Sequence, residues 1–138
     1  MSKPKLYVGC SLIHAPKEFI TSVENLKLKL AKSFEILDFF GLTDELDSTK
    51  IYNHDRKCVL NSDVFLAICD FPSTGLGMEI GFAVENKKNI VIAYNSKSKI
   101  TRMALGIPAT SKLQFCQYQD MSEIGEFLEN NSNLASTN

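Results

Sequence analysis

Three short runs constrain this fold more than anything else in the chain. Leu6–Cys10 (LYVGC), Asp63–Cys69 (DVFLAIC) and Asn89–Tyr94 (NIVIAY) are apolar at nearly every position rather than at every second one. A strand with one wet face alternates, whereas a strand covered on both faces has no reason to. Such runs belong to a parallel sheet sandwiched between helices, and parallel strands need helical crossovers between them.

The intervening segments supply those crossovers. Pro16 suits the first position of a helix, and Phe19, Val23, Leu26 and Leu30 follow at helical spacing on one face. Lys27, Lys29 and Lys32 then fall on the wet side. Phe34–Phe40 is a further apolar run closed by Gly41, and Leu42–Lys50 reads as a polar, acidic loop. Ile51–Ser62 fits a helix carrying Tyr52, Asp55, Val59 and Leu60, and Leu76–Glu85 fits another. Lys99–Leu105 reads as a short helix before Gly106 and Pro108. Leu113–Tyr118 is a weaker fifth strand, and Ser122–Glu129 a last helix with Ile124, Phe127 and Leu128 inward. The expected fold is α/β: a doubly wound five-stranded parallel sheet in a flavodoxin-like or Rossmann-like three-layer sandwich. Residues 1–130 read as one domain, and 131–138 as a polar tail that frays.

Fifteen Lys and Arg against 16 Asp and Glu leave a formal net charge of −1. That balance argues against polymeric nucleic acid or an acidic membrane as partner. No segment approaches the ~20 apolar residues of a membrane span, and MSKPKLYVGC lacks the apolar core of a signal peptide. Cys10, Cys58, Cys69 and Cys116 form no CxxC pair and no metal-ligand spacing. They read as reduced, mostly buried thiols of a cytoplasmic protein. Cys10, expected in the first loop, is the one candidate nucleophile among them. His14 and His54 are isolated and read as surface residues, so no metal site is expected.

Function concentrates in Asp63–Ala83 (DVFLAICDFPSTGLGMEIGFA), where a buried strand, a Pro/Ser/Gly turn and a helix start follow in order. A glycine-rich turn at a helix N-terminus cradles phosphate or sugar. Ligands of doubly wound sheets sit at the carboxyl ends of the strands. The loop after the first strand, Gly9–His14, would face the loop Asp70–Gly77 across that crevice. Tyr7, Asp55 and Glu79 would converge there, and paired carboxylates beside a sugar suggest glycosidic bond chemistry. Each residue also has an ordinary reading. Glu79 favours a helix N-terminus through the macrodipole, and Asp55 suits a solvated helix face. Gly75 and Gly77 suit a turn. Tyr7 suits a core whose backbone takes its hydroxyl.

Four blocks, LYVGCS, IYNHDRKCVLNSD, PSTGLGMEIGFA and ITRMALG, together resemble the nucleoside 2-deoxyribosyltransferase superfamily over roughly residues 5–105. The likeness is greatest to its branch of 2′-deoxynucleoside 5′-phosphate N-hydrolases, and PSTGLGMEIGFA is its most specific block. The resemblance implies Glu79 as nucleophile at C1′, Tyr7 orienting it, and Asp55 assisting departure of the base. It implies Gly75 and Gly77 beside the sugar and phosphate, and Ser11 and Ser73 at the 5′ end. It places Thr101 and Met103 in the site of a second protomer, so that a homodimer, or a tetramer of paired dimers, shares its sites. No cofactor is implied, because two carboxylates suffice. Transferases of the family carry an aspartate where Ser73 stands, and serine tolerates a phosphate that aspartate would repel. The N-hydrolases carry a phosphate-gripping arginine where Ile13 stands, and His14, Lys17 or a partner's Arg102 would have to replace it. A deoxyribosyltransferase, a non-catalytic nucleotide-binding domain and a flavodoxin-like electron carrier are the competing readings. A carrier would need aromatics around a flavin, which these loops lack.

Overall fold

The computed structural model describes residues 2–40, 47–108 and 112–131. The element order is β1 (Lys5–Cys10), α1 (Lys17–Leu30), β2 (Glu35–Leu37), α2 (Ser48–Asn61), β3 (Val64–Ile68), α3 (Thr74–Glu85), β4 (Asn89–Asn95), α4 (Arg102–Leu105), β5 (Leu113–Tyr118) and α5 (Ser122–Asn130). The strands form one sheet in the order β2-β1-β3-β4-β5, and all four pairings are parallel. The doubly wound sandwich expected from the apolar runs is therefore present. The order reverses beside β1, and a crevice opens there at the carboxyl ends of β1 and β3.

Strand alternation divides the core into two layers. Leu6, Val8, Leu66 and Val91 pack with Val23, Leu26 and Leu30 of α1 and with Ile124 and Leu128 of α5. Tyr7, Phe65, Ala67, Ile90 and Ile92 face the other way, onto Cys58 and Val59 of α2 and Leu76 and Ala83 of α3. The register of β1 against β3 is set before the ladder begins. Asp63 gives its N–H to the Lys5 carbonyl, and its carboxylate accepts the Lys5 N–H, both at 2.8 Å. Tyr7 then pairs with Phe65 and Gly9 with Ala67.

Several boundaries differ from expectation, and capping explains most of them. Asp47 accepts the Lys50 N–H at 2.9 Å, so α2 starts at Ser48, inside the stretch read as a loop. Residues 41–46 lie outside the described residues. Ser73 caps α3 by accepting the Leu76 N–H at 3.1 Å, which starts that helix at Thr74. Thr101 caps α4, so Lys99–Ile100 are not helical. Pro16 is the N-cap residue of α1, one position before the helix proper. Gly9 and Cys10 belong to β1 rather than to the loop after it. Lys27 is not on the wet side. It is 5% exposed, pairs with Glu24 and Asp38, and lies 4.3 Å from the Phe39 ring centroid. The tail beyond Asn131 lies outside the described residues. No described helix is long and apolar enough to cross a membrane.

Candidate active site

The same alternation that buries Tyr7 aims it. Its ring stacks on Phe65 with centroids 5.6 Å apart and planes at 23°. Its hydroxyl donates to Glu79 Oε2 rather than to backbone. Two residues on, Gly9 faces the same way and leaves room for the carboxylate. A Cβ there would stand 2.9 Å from Leu76 Cδ1 and 3.0 Å from Glu79 Oε1. Glu79 lies beyond the first turn of α3, where the macrodipole has little hold. Its position is explained by Tyr7 instead.

Asp55 comes from α2. Its Oδ1 accepts the N–H of Phe40, in the segment leaving β2, at 3.1 Å. Burial pushes the Asp55 carboxyl above its ordinary range, while the Phe40 N–H and the neighbouring His54 oppose that rise. Burial pushes Glu79 up to about 7. The Tyr7 hydrogen bond opposes the shift and the Asp55 charge adds to it. Tyr7, buried beside two carboxylates, is raised far above the phenol range, so it remains a donor. Two carboxyl groups with raised proton affinity in one cleft mark a candidate for proton and nucleophile chemistry. Cys10 carries no such signature. Burial pushes its thiol up to about 11, which leaves it protonated and a poor nucleophile at neutral pH.

A cavity of about 610 Å³ opens over these groups. Tyr7, Asp55 and Glu79 line it, as do Ser11, Ile13, Ser73 and Gly75. Ser11, 1% exposed, donates to the Pro72 carbonyl at 2.9 Å and accepts the His14 N–H, so it ties the two loops together. The loop beyond β3 is held again by Asp70, which accepts the Tyr118 hydroxyl and the Asn95 N–H. Ile13 is 75% exposed, an apolar side chain at the cavity mouth. Of the residues expected to replace an arginine there, His14 lines the cavity; Lys17 and Arg102 of the same chain do not. Gly77, Thr101 and Met103 also lie off it, and Met103 is 84% exposed on α4.

Several lining residues escaped the sequence reading. Gly9 was grouped with the loop, so its role as the floor beneath Glu79 was not visible. Phe39 and Phe40 form one wall, beyond the end of β2. Ser48, Ile51, Tyr52 and Asp55 line the cavity together, spaced as one helix face. Starting that helix at Ser48 would have grouped them. Phe82 completes the outer wall, with the Tyr52 ring edge-on at 5.6 Å and the Arg56 guanidinium over it. No cluster of three His, Cys, Asp or Glu side chains suited to a metal ion occurs among the described residues.

Comparison with known proteins bears on this geometry. The family model described as nucleoside 2-deoxyribosyltransferase matches residues 12–134. A candidate 2′-deoxynucleoside 5′-phosphate N-hydrolase of Methanosarcina barkeri (strain Fusaro / DSM 804) is 31% identical over 81 residues, 54% of this chain and 51% of that protein. The match thus spans about half the length of that curated relative. The CMP N-glycosidase BcmB of Clostridium botulinum superposes with a TM-score of 0.69 at 21% identity, over 91% of this chain and 98% of that one. The solution structure of BlsM superposes with a TM-score of 0.74 at 18% identity, over 99% of each chain. At such identities the two structures establish the shared fold.

Proposed function

Because the chain belongs to the nucleoside 2-deoxyribosyltransferase family, we propose that it is an N-glycosidase cleaving the base–sugar bond of nucleoside or deoxynucleoside 5′-monophosphates. The observation carrying this reading is the Tyr7 hydroxyl bound to Glu79 on the floor of a cavity that Asp55 also lines. A carboxylate held by one phenol keeps its other oxygen, Oε1, for a ligand.

In this reading Glu79 attacks C1′ as the bond to the base nitrogen breaks, and the bonding pair leaves with the base. Asp55 protonates the departing base, for which a raised proton affinity is an advantage. The sugar is left as an ester of Glu79. Water then attacks C1′ while Asp55 takes its proton, and the C1′–Glu79 bond breaks. Two displacements retain the configuration at C1′. The 5′-phosphate belongs at the first turn of α3, where Ser73, Thr74 and Gly75 line the cavity and the helix N-terminus favours an anion. The Ser73 hydroxyl accepts from Leu76 N–H and retains its own proton for a phosphate oxygen. Thr101, the exposed cap of α4, and Met103, exposed on that helix, would serve the cavity of a second protomer in a homodimer, to be sought by light scattering.

Base release from deoxynucleoside and ribonucleoside 5′-monophosphates, dCMP and CMP among them, and from the matching nucleosides tests this. Release from monophosphates, lost in Glu79→Ala with folding intact, is the expected result. Near-normal turnover by Glu79→Ala would sink it. A second reading rests on the exposed apolar Ile13, which offers a phosphate nothing. A deoxyribosyltransferase acting on nucleosides would form a new nucleoside faster than it releases free sugar when excess base is present.

A further inference from the structure

The segment Asp38–Phe40 leaves β2, a strand of only three residues, and passes beyond its ladder with β1. Side chains must therefore hold it, and they do so from both sides. From α1, Lys27 Nζ lies 3.6 Å from the Asp38 carboxylate and 4.3 Å from the Phe39 ring centroid. From α2, His54 Nε2 lies 2.8 Å from the Asp38 carbonyl oxygen. A carbonyl only accepts, so that nitrogen carries the proton. The His54 ring also stacks on Phe40, with centroids 3.7 Å apart and planes at 8°. One residue along the same helix, Asp55 receives the N–H of Phe40. The turn of α2 that grips the segment is thus the turn that takes its hydrogen bond.

We propose that His54, assisted by Lys27, is a positioning residue for Asp55, because it holds the Phe40 N–H against Oδ1 and so turns Oδ2 toward the cavity. A lone carboxylate rotates about its side-chain bonds and offers either oxygen to a ligand. Fixing Oδ1 from behind leaves one defined oxygen for the leaving base. This inference rests on the reading that Asp55 serves the leaving group. A plain structural brace for edge strand β2 would use the same contacts but would not require Asp55 to receive the N–H.

Two measurements on the full chain decide it. The first needs no ligand: the Phe40 amide proton in a ¹⁵N-correlated NMR spectrum. It should lie downfield in the native protein and move upfield in both His54→Ala and Asp55→Ala. The second is turnover of whichever 5′-monophosphate the panel above identifies. His54→Ala should lower kcat about 10-fold with little change in KM. The same substitution made in Asp55→Ala should cost less than about 2-fold, because a residue acting through Asp55 has nothing left to act on. His54→Phe, which keeps the ring stack, should recover part of the loss and covers the case that His54→Ala folds poorly. Full additivity of the two losses, or an unmoved Phe40 amide in His54→Ala, overturns the proposal alone. Undiminished turnover by Asp55→Ala overturns this proposal together with the leaving-group role of Asp55.

Discussion

Gly9 lies directly beneath Glu79: a Cβ added there would stand 3.0 Å from Oε1, the carboxylate oxygen that Tyr7 does not hold. It would also meet Leu76 Cδ1 at 2.9 Å and Phe65 Cε1 at 3.2 Å. The phenyl ring and the leucine are core and give little, so the glutamate has to move. Gly9→Ala should therefore cost about 1–3 kcal/mol of stability, the usual range for overpacking. Its loss of base release should be far larger than that destabilisation explains. Thermal melting alongside turnover at a temperature where the variant is fully folded checks both.

Tyr7 acts on Glu79 through a hydrogen bond that favours the charged form, against burial and the Asp55 charge. A nucleophile must be ionised, so kcat/KM should rise with pH through about 7. Tyr7→Phe removes the hydrogen bond that lowers this value. Its rising limb should shift to higher pH, and its plateau should fall about 10- to 100-fold, in line with ~1.5–3 kcal/mol for a hydrogen bond to a charged group. A pH profile of kcat/KM for both proteins is the measurement. An unmoved limb would detach Tyr7 from the ionisation of Glu79.

The raised proton affinity of Glu79 also has a consequence for folding. Its folded-state value, about 7, lies above its ordinary one of 4.5. The folded protein binds this proton more tightly than the unfolded chain. That contribution is fully present below pH 4.5 and is lost as pH rises through about 7. By alkaline pH the ionised group costs on the order of 3 kcal/mol relative to its protonated form. Glu79→Gln, neutral at every pH, should melt several degrees higher than the native protein at pH 8. The gap should close by pH 4. Such a gain in stability with loss of turnover is the trade expected of a group kept for chemistry.

Much of this was legible in the residues. Continuously apolar runs announced strands buried on both faces, and β1, β3 and β4 are those strands. Tyr7, Asp55 and Glu79 were singled out by the resemblance of their sequence blocks to a known family, since each taken alone also suits an ordinary helix or core position. The fold brings all three to one cavity. What the residues could not disclose depended on distances between elements. Lys27 sits at a helical position that looked wet. It is buried because the segment leaving β2 crosses over it and offers it Asp38 and Phe39. His54 looked like a surface residue for the same reason, since Phe40 is the partner that makes it otherwise. Gly9 gave no local signal, because its constraint comes from α3, far along the chain.

Gly75 and Gly77 differ in that Gly75 lines the cavity and Gly77 does not. Neither has positive φ, and both lie in α3, where glycine weakens a helix. A Cβ at Gly75 would approach only Ser73 Oγ, at 3.9 Å, and at Gly77 it would meet nothing within 4 Å. Each alanine should therefore stabilise the protein by about 0.5–1 kcal/mol. Their effects on turnover should differ. Gly75 lines the cavity beside the proposed phosphate position, and Gly77 does not. Gly75→Ala should raise KM for a 5′-monophosphate several-fold, whereas Gly77→Ala should leave KM and kcat within about 2-fold. If Gly77→Ala damages turnover while stabilising the fold, the ligand reaches farther along α3 than the cavity walls indicate. Melting curves and steady-state kinetics of the two variants, run side by side, distinguish these outcomes.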